Sequence, residues 1–568
     1  MLLGLDVGGT FTDIVLIDKG HIYKKAKRRT TPDNLMDGIL NALDAVLVEV
    51  DSAQIERVTL STTVITNCLV QGKEDKPDLY IVPGPGMHVI NQLPSTPIVL
   101  KGYTNHQGEI KEHVSFPRVI EKGKQNVAAV SAKFSVRNPQ EEERVAIYLR
   151  EQGYDFVSEG AKLNGNLNFV RRTVSSYYNS AVLSTFNRFR LAVENALLER
   201  HITAPLYILK ADGGSLSVNH MSVCPVESAF TGPAASVLGL KALGHISTKM
   251  TVALDIGGTT TDISLWRNGE PILARGGVNI GKYPSSVRSF AVKSVGIGGE
   301  SAVRVTSSGN IEVGPQREGV AVALGGNVPT LSDALIVLGY ANFGDKTKAY
   351  EALSDLCNVY NATRGQKNQI SDVLDTINTA VENEVDMAER ICKQAVETVV
   401  KGISEVVQIT NRLPVYTVSD IAHPNIFEPE YIVVVGGTAT ALGPSIGKAL
   451  ALETFIPKAG EVINAIGAAL SLETIHITAR LNTCTRTLVI PECGIQEISD
   501  LQSIEELVTY AIEVLKGLIA SSDYKGNADK LDFEVIQQEA FPIIKGWSTS
   551  GKIITVQVQV KAGVYYAN

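Results

Sequence analysis

Cysteine is scarce and scattered in this chain: the six residues Cys68, Cys224, Cys357, Cys392, Cys484 and Cys493 include no Cys-x-x-Cys spacing. That excludes a disulfide scaffold or a zinc knuckle and points to a reducing compartment. No apolar run approaches the length of a membrane span. The opening Met-Leu-Leu-Gly-Leu-Asp lacks the basic start of a secretory signal, so a cytoplasmic location is expected. Aromatic residues make up only 6% and the net charge is −8, so there is no sequence-wide attraction to nucleic acid or to an anionic membrane. The densest basic group, Lys24, Lys25, Lys27, Arg28 and Arg29, falls on an expected third strand, where charge blunts an exposed sheet edge. Two nucleotide-binding fingerprints are also missing. Gly276 to Lys282 has the Gly-x4-Gly-Lys spacing, but Tyr283 stands where a P-loop needs Ser or Thr, and no Gly-x-Gly-x-x-Gly opens a helix.

What the chain does have is one hairpin motif twice. Asp6-Val-Gly-Gly-Thr-Phe-Thr-Asp13-Ile-Val-Leu and Asp255-Ile-Gly-Gly-Thr-Thr-Thr-Asp262-Ile-Ser-Leu agree at eight of eleven positions, 249 residues apart. Each lies between apolar runs of strand composition, and Asn268-Gly269 closes the second with a tight-turn signal. Two copies imply two related halves. Gly8, Gly9, Gly257 and Gly258 carry no Cβ, so backbone N–H groups can approach an anion, and Thr10, Thr12, Thr259 and Thr261 add hydroxyl donors. Asp6 and Asp255 would repel a polyphosphate unless a divalent cation lay between, and Mg²⁺ (or Mn²⁺) is commonly held by one or two carboxylates with phosphate oxygens and water. The twin hairpins, Asp13 and Asp262 included, therefore predict a metal–nucleotide held between two domains.

A length of 568 residues suggests about three domains. Alternating strands and helices predict an α/β sheet in each half, with domains at 1–200 and 201–480 and a small α/β appendage at 481–568. Thr31-Pro32-Asp33 predicts a helix start, and residues 170–201 predict one long helix. An amphipathic helix is expected over 373–409. Thr63 and Asn67, in the hydroxyl-rich stretch after the Val58–Ser61 strand, read either as a helix cap or as a ligand-contacting loop. Asp212-Gly213-Gly214 ends an apolar strand where open α/β sheets bind ligands. Further glycine turns stand at Gly298-Gly299 and at Gly436-Gly437-Thr438, the latter suited to the adenosine side of a nucleotide. Small-residue helices near Ala234 and Ala465 are expected to pack together.

The twin hairpins, the small-residue helices and the late Gly-Gly-Thr, in that chain order, resemble the superfamily of acetate and sugar kinases, heat-shock chaperones and actin. Together with Thr231-Gly-Pro-Ala-Ala235, Val313-Gly-Pro-Gln316 and Pro329-Thr-Leu-Ser-Asp-Ala334, the motifs are similar to the hydantoinase/oxoprolinase family in its ATP-binding A-type subunit, over roughly residues 1 to 475. The resemblance implies two ribonuclease-H-like domains around an interdomain ATP cleft. It also implies ATP-dependent opening of a cyclic amide such as a hydantoin or 5-oxoproline, with a separate B-type subunit as partner. Asp6 and Asp255 would position the metal. Asp212 and Asp333 are candidates for substrate-side or second-metal carboxylates, with turn or helix capping as the alternative. The chain departs from the family pattern at Glu300, where a glycine is usual, and at Gly436 to Ala441, where a histidine is usual. A nucleotide-gated regulatory protein and a small-molecule kinase are the other functions this pattern allows; a homo-oligomer is a further possibility for its assembly.

Overall fold

A computed structural model of the chain describes residues 1–30, 35–117, 123, 126–244, 246, 248–274, 276–367, 381–412, 426–498, 500–520 and 531–565. It resolves into two compact units, one formed by Met1–Leu238, Ala274–Ser289 and the chain from Asn464 on, the other by Gly239–Leu273 and Phe290–Ile463.

The first unit is built on a sheet whose strands run, in spatial order, Ser215–Ser217, Leu206–Leu209, Arg57–Thr62, Leu2–Val7, Phe11–Asp18 and His21–Arg29. Leu2–Val7, Arg57–Thr62 and Leu206–Leu209 are parallel, so their carboxyl ends lie at one edge, the edge where α/β sheets present ligand-binding loops. Phe11–Asp18 folds back antiparallel on the first strand, and basic His21–Arg29 forms the outer edge. The strands Asp78–Val82 and Val127–Ala132 do not extend this sheet; they form a separate parallel sheet with Phe156–Glu159 and Ile98–Val99. The appendage is an antiparallel sheet that begins at His476–Asn482 and carries the helix Ile504–Ala520. Leu507, Ala511, Leu515 and Ile519 of that helix share one core with Ile477, Ala479, Leu481, Val556 and Val558 of the sheet.

The second unit repeats the plan. Thr251–Ile256 pairs antiparallel with Thr261–Arg267 and parallel with Tyr431–Val435, which pairs parallel with Glu453–Phe455. In both sheets the first strand is flanked by an antiparallel second and a parallel later strand, the ribonuclease-H-like arrangement that the resemblance implies. The helix Glu384–Asn411 buries Met387, Ile391, Ala395, Val399, Ile403 and Val406, an apolar stripe at spacings of three and four. Asn268 and Gly269 both take positive φ (53° and 77°) and turn Arg267 back onto Glu270, as the dipeptide predicts.

Several expectations are corrected. The boundary placed at 200/201 falls after Leu238, because the Leu206–Leu209 strand joins the first sheet, and the appendage belongs to the first unit. The helix expected over 170–201 is two, Phe169–Ala181 and Leu183–Leu198. Thr173, Ser175 and Ser176 in the first of these turn their hydroxyls back onto carbonyls of Phe169, Arg171 and Thr173, a pattern that bends helices. The Thr31-Pro32-Asp33 start and residues 373–380 lie outside the described residues; the corresponding helices are described from Leu35 and from Glu384. Gly276 to Lys282 ends in a β-turn between Asn279–Ile280 and Tyr283–Pro284, not in the loop-to-helix junction of a P-loop. Among the described residues no helix is long and apolar enough to cross a membrane.

The small-residue helices Thr231–Ala242 and Ile463–Leu470 do pack together. A Cβ at Gly239 would fall 2.2 Å from the Ile463 carbonyl oxygen, and Ser236 Oγ lies 2.6 Å from Asn464 Oδ1. A Cβ at Gly4 would likewise fall 2.2 Å from the Ala465 carbonyl, which seats the second helix directly on the first strand.

Candidate functional site

The two hairpins share one register. Asp6 stands opposite Asp13 and Val7 opposite Thr12; Asp255 stands opposite Asp262 and Ile256 opposite Thr261. The turn closes the same way in both, with Gly8 N–H donating to the Phe11 carbonyl (3.0 Å) and Gly257 N–H to the Thr260 carbonyl (2.9 Å). Gly8-Gly9-Thr10 and Gly257-Gly258-Thr259 remain at least partly exposed at the turn tips, where backbone donors and a threonine hydroxyl can meet an anion.

Around the first hairpin the neighbours are polar and positioned. The Asn464 amide donates to Asp6 Oδ2 (3.2 Å), and Lys27 pairs with Asp13 Oδ2 (2.7 Å). Thr30 holds the turn from behind, its hydroxyl on the Gly8 carbonyl (2.9 Å) and its N–H on the Thr10 carbonyl (2.8 Å). Thr231 Oγ1 meets both the N–H and the carbonyl of Thr62, which joins the small-residue helix to the strand beside Asp6. Thr63 donates its N–H to the Val7 carbonyl (3.1 Å), and Asn67 donates to Thr63 Oγ1. Thr63 makes no side-chain cap, so this pair stands as a polar bracket beside the hairpin.

The second hairpin gathers both later glycine turns. A Cβ at Gly298 would fall 2.6 Å from Thr259 N and 2.7 Å from the Gly257 carbonyl, so this loop lies flush against the hairpin backbone. Gly299 N–H donates to the Gly257 carbonyl (3.0 Å). Gly436, at φ +99°, comes so close that a Cβ would sit 2.7 Å from Asp255 Oδ1, and Thr438 Oγ1 reaches the Ile256 carbonyl (3.4 Å). Ser294 hydrogen-bonds Asp262, yet burial first and the facing Asp255 carboxylate second push the Asp262 carboxyl up to about 7. Two acids facing each other beside a phosphate-type turn are a donor set that fits a divalent cation completing its shell with phosphate oxygens and water. Among the described residues no three His, Cys, Asp or Glu side chains form a metal cage.

Other expected residues are occupied elsewhere. Thr12 Oγ1 faces inward to Thr30 (3.1 Å) and Thr261 Oγ1 to the Ile297 carbonyl (2.7 Å), so these hydroxyls brace the hairpins. Asp333 is corrected from catalytic candidate to cap. It is fully buried, accepts from the N–H groups of Val322, Ala323 and Thr330, and forms a capping box at Leu331–Val337. Asp333→Ala is therefore expected to lower stability by about 3–5 kcal/mol, since several buried N–H groups lose a charged acceptor. Chemical denaturation checks it. Asp212 is 4% exposed and holds Lys210 at 3.3 Å, while Gly213 and Gly214 shape its turn. Glu300, at the departure from the family pattern, pairs with Arg317 (2.6 Å). Asn464, Thr30, Lys27 and Ser294 are site neighbours that sequence reasoning missed; a polar residue heading a small-residue helix was the signal for Asn464.

The family model described as hydantoinase/oxoprolinase matches residues 172–476, and the model described as hydantoinase/oxoprolinase N-terminal region matches residues 2–153. The acetophenone carboxylase gamma subunit of Aromatoleum aromaticum is 29% identical over 401 residues, 60% of this chain and 53% of that protein. Caprolactamase subunit alpha of Pseudomonas jessenii is 25% identical over 379 residues, 60% of this chain and 54% of that protein. The chain thus spans about half the length of the curated relatives it matches. Nucleotide-free acetone carboxylase superposes with a TM-score of 0.65 at 18% identity, covering 99% of this chain and 87% of that one. The ATP-dependent caprolactamase of Pseudomonas jessenii gives 0.65 at 17%, covering 98% and 87%, and both likenesses bear on fold. With one family model spanning more than half of its residues and a second spanning much of the rest, the chain belongs to the hydantoinase/oxoprolinase family.

Proposed function

We propose that this chain is the ATP-binding, phosphorylating component of an enzyme that opens a cyclic amide. The observation that carries the reading is the duplicated hairpin, with Asp opposite Asp and Gly-Gly-Thr at each tip, in a family whose relatives include an ATP-dependent caprolactamase. A lactam is a poor electrophile because its nitrogen feeds electrons to the carbonyl. Transfer of the γ-phosphoryl group of ATP to the carbonyl oxygen creates a leaving group. Water then adds at the ring carbon, the C–N bond breaks with the nitrogen leaving as the amine, and a second water cleaves the resulting acyl phosphate, so the products are ADP, phosphate and the open-chain amino acid. The N–H groups of Gly8, Gly9, Gly257 and Gly258, with Thr10 and Thr259, would hold the phosphates, and Gly436 to Thr438 the adenosine side. Asp6 and Asp255 would hold Mg²⁺ or Mn²⁺, which supplies charge neutralisation on the phosphoryl oxygens. A separate hydrolytic subunit fits relatives that are themselves named as subunits.

The carboxylase names among the relatives favour a second reading, in which the activated carbonyl belongs to a ketone or to bicarbonate. One experiment separates the two: ADP and phosphate release by the purified chain, with any co-purifying subunit, against lactams and imides or against ketones with bicarbonate. At least tenfold stimulation by a lactam is expected. Stimulation by ketone and bicarbonate alone moves the assignment to the second reading, and stimulation by neither class overturns both.

A further inference from the structure

Two arginines of the first unit line a pocket without a carboxylate to balance them. The pocket, about 230 Å³, lies where the His476–Asn482 strand of the appendage meets the loop that follows Val127–Ala132. It is smaller than the usual site for a drug-sized ligand, about 300–1,000 Å³, and suits a small ion with its waters. The charged residues of its lining are Arg137, Arg480 and Glu109. Glu109 is engaged at the rim, its Oε2 on Lys111 (2.6 Å) and on the Asn105 amide (2.9 Å). The helix Gln140–Glu151 also starts here, but the acids of its first turn are spent elsewhere: Glu141 on His113, Arg144 and the Val114 N–H, Glu142 on the N–H groups of Ala132 and Ala161, Glu143 on Lys162.

Arg480 is 4% exposed, and of the five N–H donors a guanidinium carries, two reach protein acceptors, the carbonyls of Val136 (3.0 Å) and Gly165. Its Nε and that of Arg137 are buried without an acceptor among the described residues. Glu539 and Glu492 act on Arg480, and Glu539 on Arg137, only through space, while burial, then Arg172 and Arg137, hold the Arg480 guanidinium down at about 9, still charged at neutral pH. A buried charge is ordinarily paired, and two uncompensated guanidiniums in one pocket are costly. The larger cavity of the same unit, about 640 Å³, shows the ordinary case: its cations Arg150 and Lys162 meet Glu159, and Lys210 meets Asp212.

The rest of the lining is built to donate. Asn482 Oδ1 accepts from the N–H groups of Cys484 and Thr485, which leaves its NH2 as a donor, and Gln107, Gln140, Thr485 and Thr487 add amides and hydroxyls. The rim is fixed: Asn138 donates to the Gly108 carbonyl (2.9 Å), and Gly108, at φ +88°, lies so close that a Cβ would fall 3.0 Å from the Arg137 carbonyl.

We propose that this pocket binds a small dianionic oxyanion of the phosphate type, free or as the phosphoryl end of a small molecule, and that the bound ion locks the appendage to the loops beside it. Two positive charges call for a dianion, and guanidinium forks match its oxygens in pairs. Arg480 already joins the appendage to the loops at Val136 and Gly165, so an ion shared with Arg137 closes the same junction.

Titration calorimetry and thermal melting of the full chain test this, with inorganic phosphate, glycerol phosphate and acetate at constant ionic strength. Phosphate or its ester is expected to bind and to raise the melting temperature, with acetate at least tenfold weaker. Tighter binding of the ester identifies the phosphoryl end of a small molecule as the ligand, and tighter binding of inorganic phosphate the free ion. Arg480→Gln would also remove two bonds to backbone, so Arg137 is the residue to change; its side chain lies over Phe134 (5.7 Å) and makes no hydrogen bond among the described residues. Arg137→Gln relieves repulsion with Arg480, so it is expected to melt no lower than wild type without phosphate, yet to lose at least tenfold in phosphate affinity. Arg137→Lys, which keeps the charge but not the fork, is expected to lose less. Phosphate taken up at the hairpins would persist in Arg137→Gln. No binding of phosphate or its ester by the wild type, acetate binding as tightly, or unchanged phosphate affinity in folded Arg137→Gln overturns the proposal.

Discussion

Asp255→Asn is expected to cut ATP turnover by about a hundredfold or more, the size of loss that follows removal of one preorganised electrostatic contact from a reacting centre. The substitution keeps the side-chain shape, so the close approach of Gly436 to this carboxylate, 2.7 Å from a Cβ to Oδ1, is preserved and only the charge is lost. If Asp255 holds the divalent ion, the metal concentration needed for half-maximal turnover rises with the loss of rate. Asp262→Asn is expected to do less. Asp262 already binds Ser294 and is held up to about 7 by burial and by Asp255, so near neutral pH it carries only part of a charge. In Asp255→Asn the like charge is gone, Asp262 titrates lower, and more of it is ionised, which returns some negative charge to the hairpin. Steady-state turnover over a Mg²⁺ titration, repeated with Mn²⁺, checks the pair. Unchanged rate and metal dependence in folded Asp255→Asn would remove it from the metal site.

Much of the site was legible because its signals are local. Gly-Gly-Thr between two apolar runs specifies a hairpin turn, and the duplicate motif specifies two sheets of one plan, both of which the fold has. The inward set of Thr12 and Thr261 was also legible and was missed. Thr12 shares strand parity with Ile14 and Leu16, and Thr261 with Ile263 and Leu265, all four apolar residues being core. Their hydroxyls could only turn to internal partners. Asp333 carried a readable signature as well, Thr330 three residues ahead of an acid at the start of an apolar run, which is the pattern of a reciprocal cap.

The remainder depended on contacts that no short window contains. An all-apolar strand such as Leu206–Leu209 declares that it is buried but not which sheet it joins, so the boundary at 200 fell 38 residues short of Leu238. Asn464 meets Asp6 across 458 positions of sequence. Lys210 and His476 line one cavity because the appendage is part of the first unit, a fact that composition and periodicity do not encode.

The sharpest structural prediction sets two glycines against each other. At Gly298 a Cβ would lie 2.6 Å from Gly258 C and Thr259 N, both backbone atoms of the second hairpin. Gly298→Ala must therefore displace the turn itself, and both a lower melting temperature and at least a tenfold loss of ATP affinity are expected. At Gly9 a Cβ would meet nothing within 4 Å, and the backbone is not in the left-handed region, so Gly9→Ala leaves the free protein as stable as before. If the turn's N–H groups close on phosphate, however, the added methyl occupies space the ligand needs. The expected result is an unchanged melting temperature without nucleotide and a much smaller rise when Mg²⁺ and ATP are added, because ligand stabilisation scales with the logarithm of occupancy over affinity. Thermal melts of both variants with and without nucleotide distinguish the cases. A Gly9→Ala protein that gains as much from ATP as the wild type would show that the first hairpin does not wrap the phosphates, and its two glycines would then be ordinary turn residues.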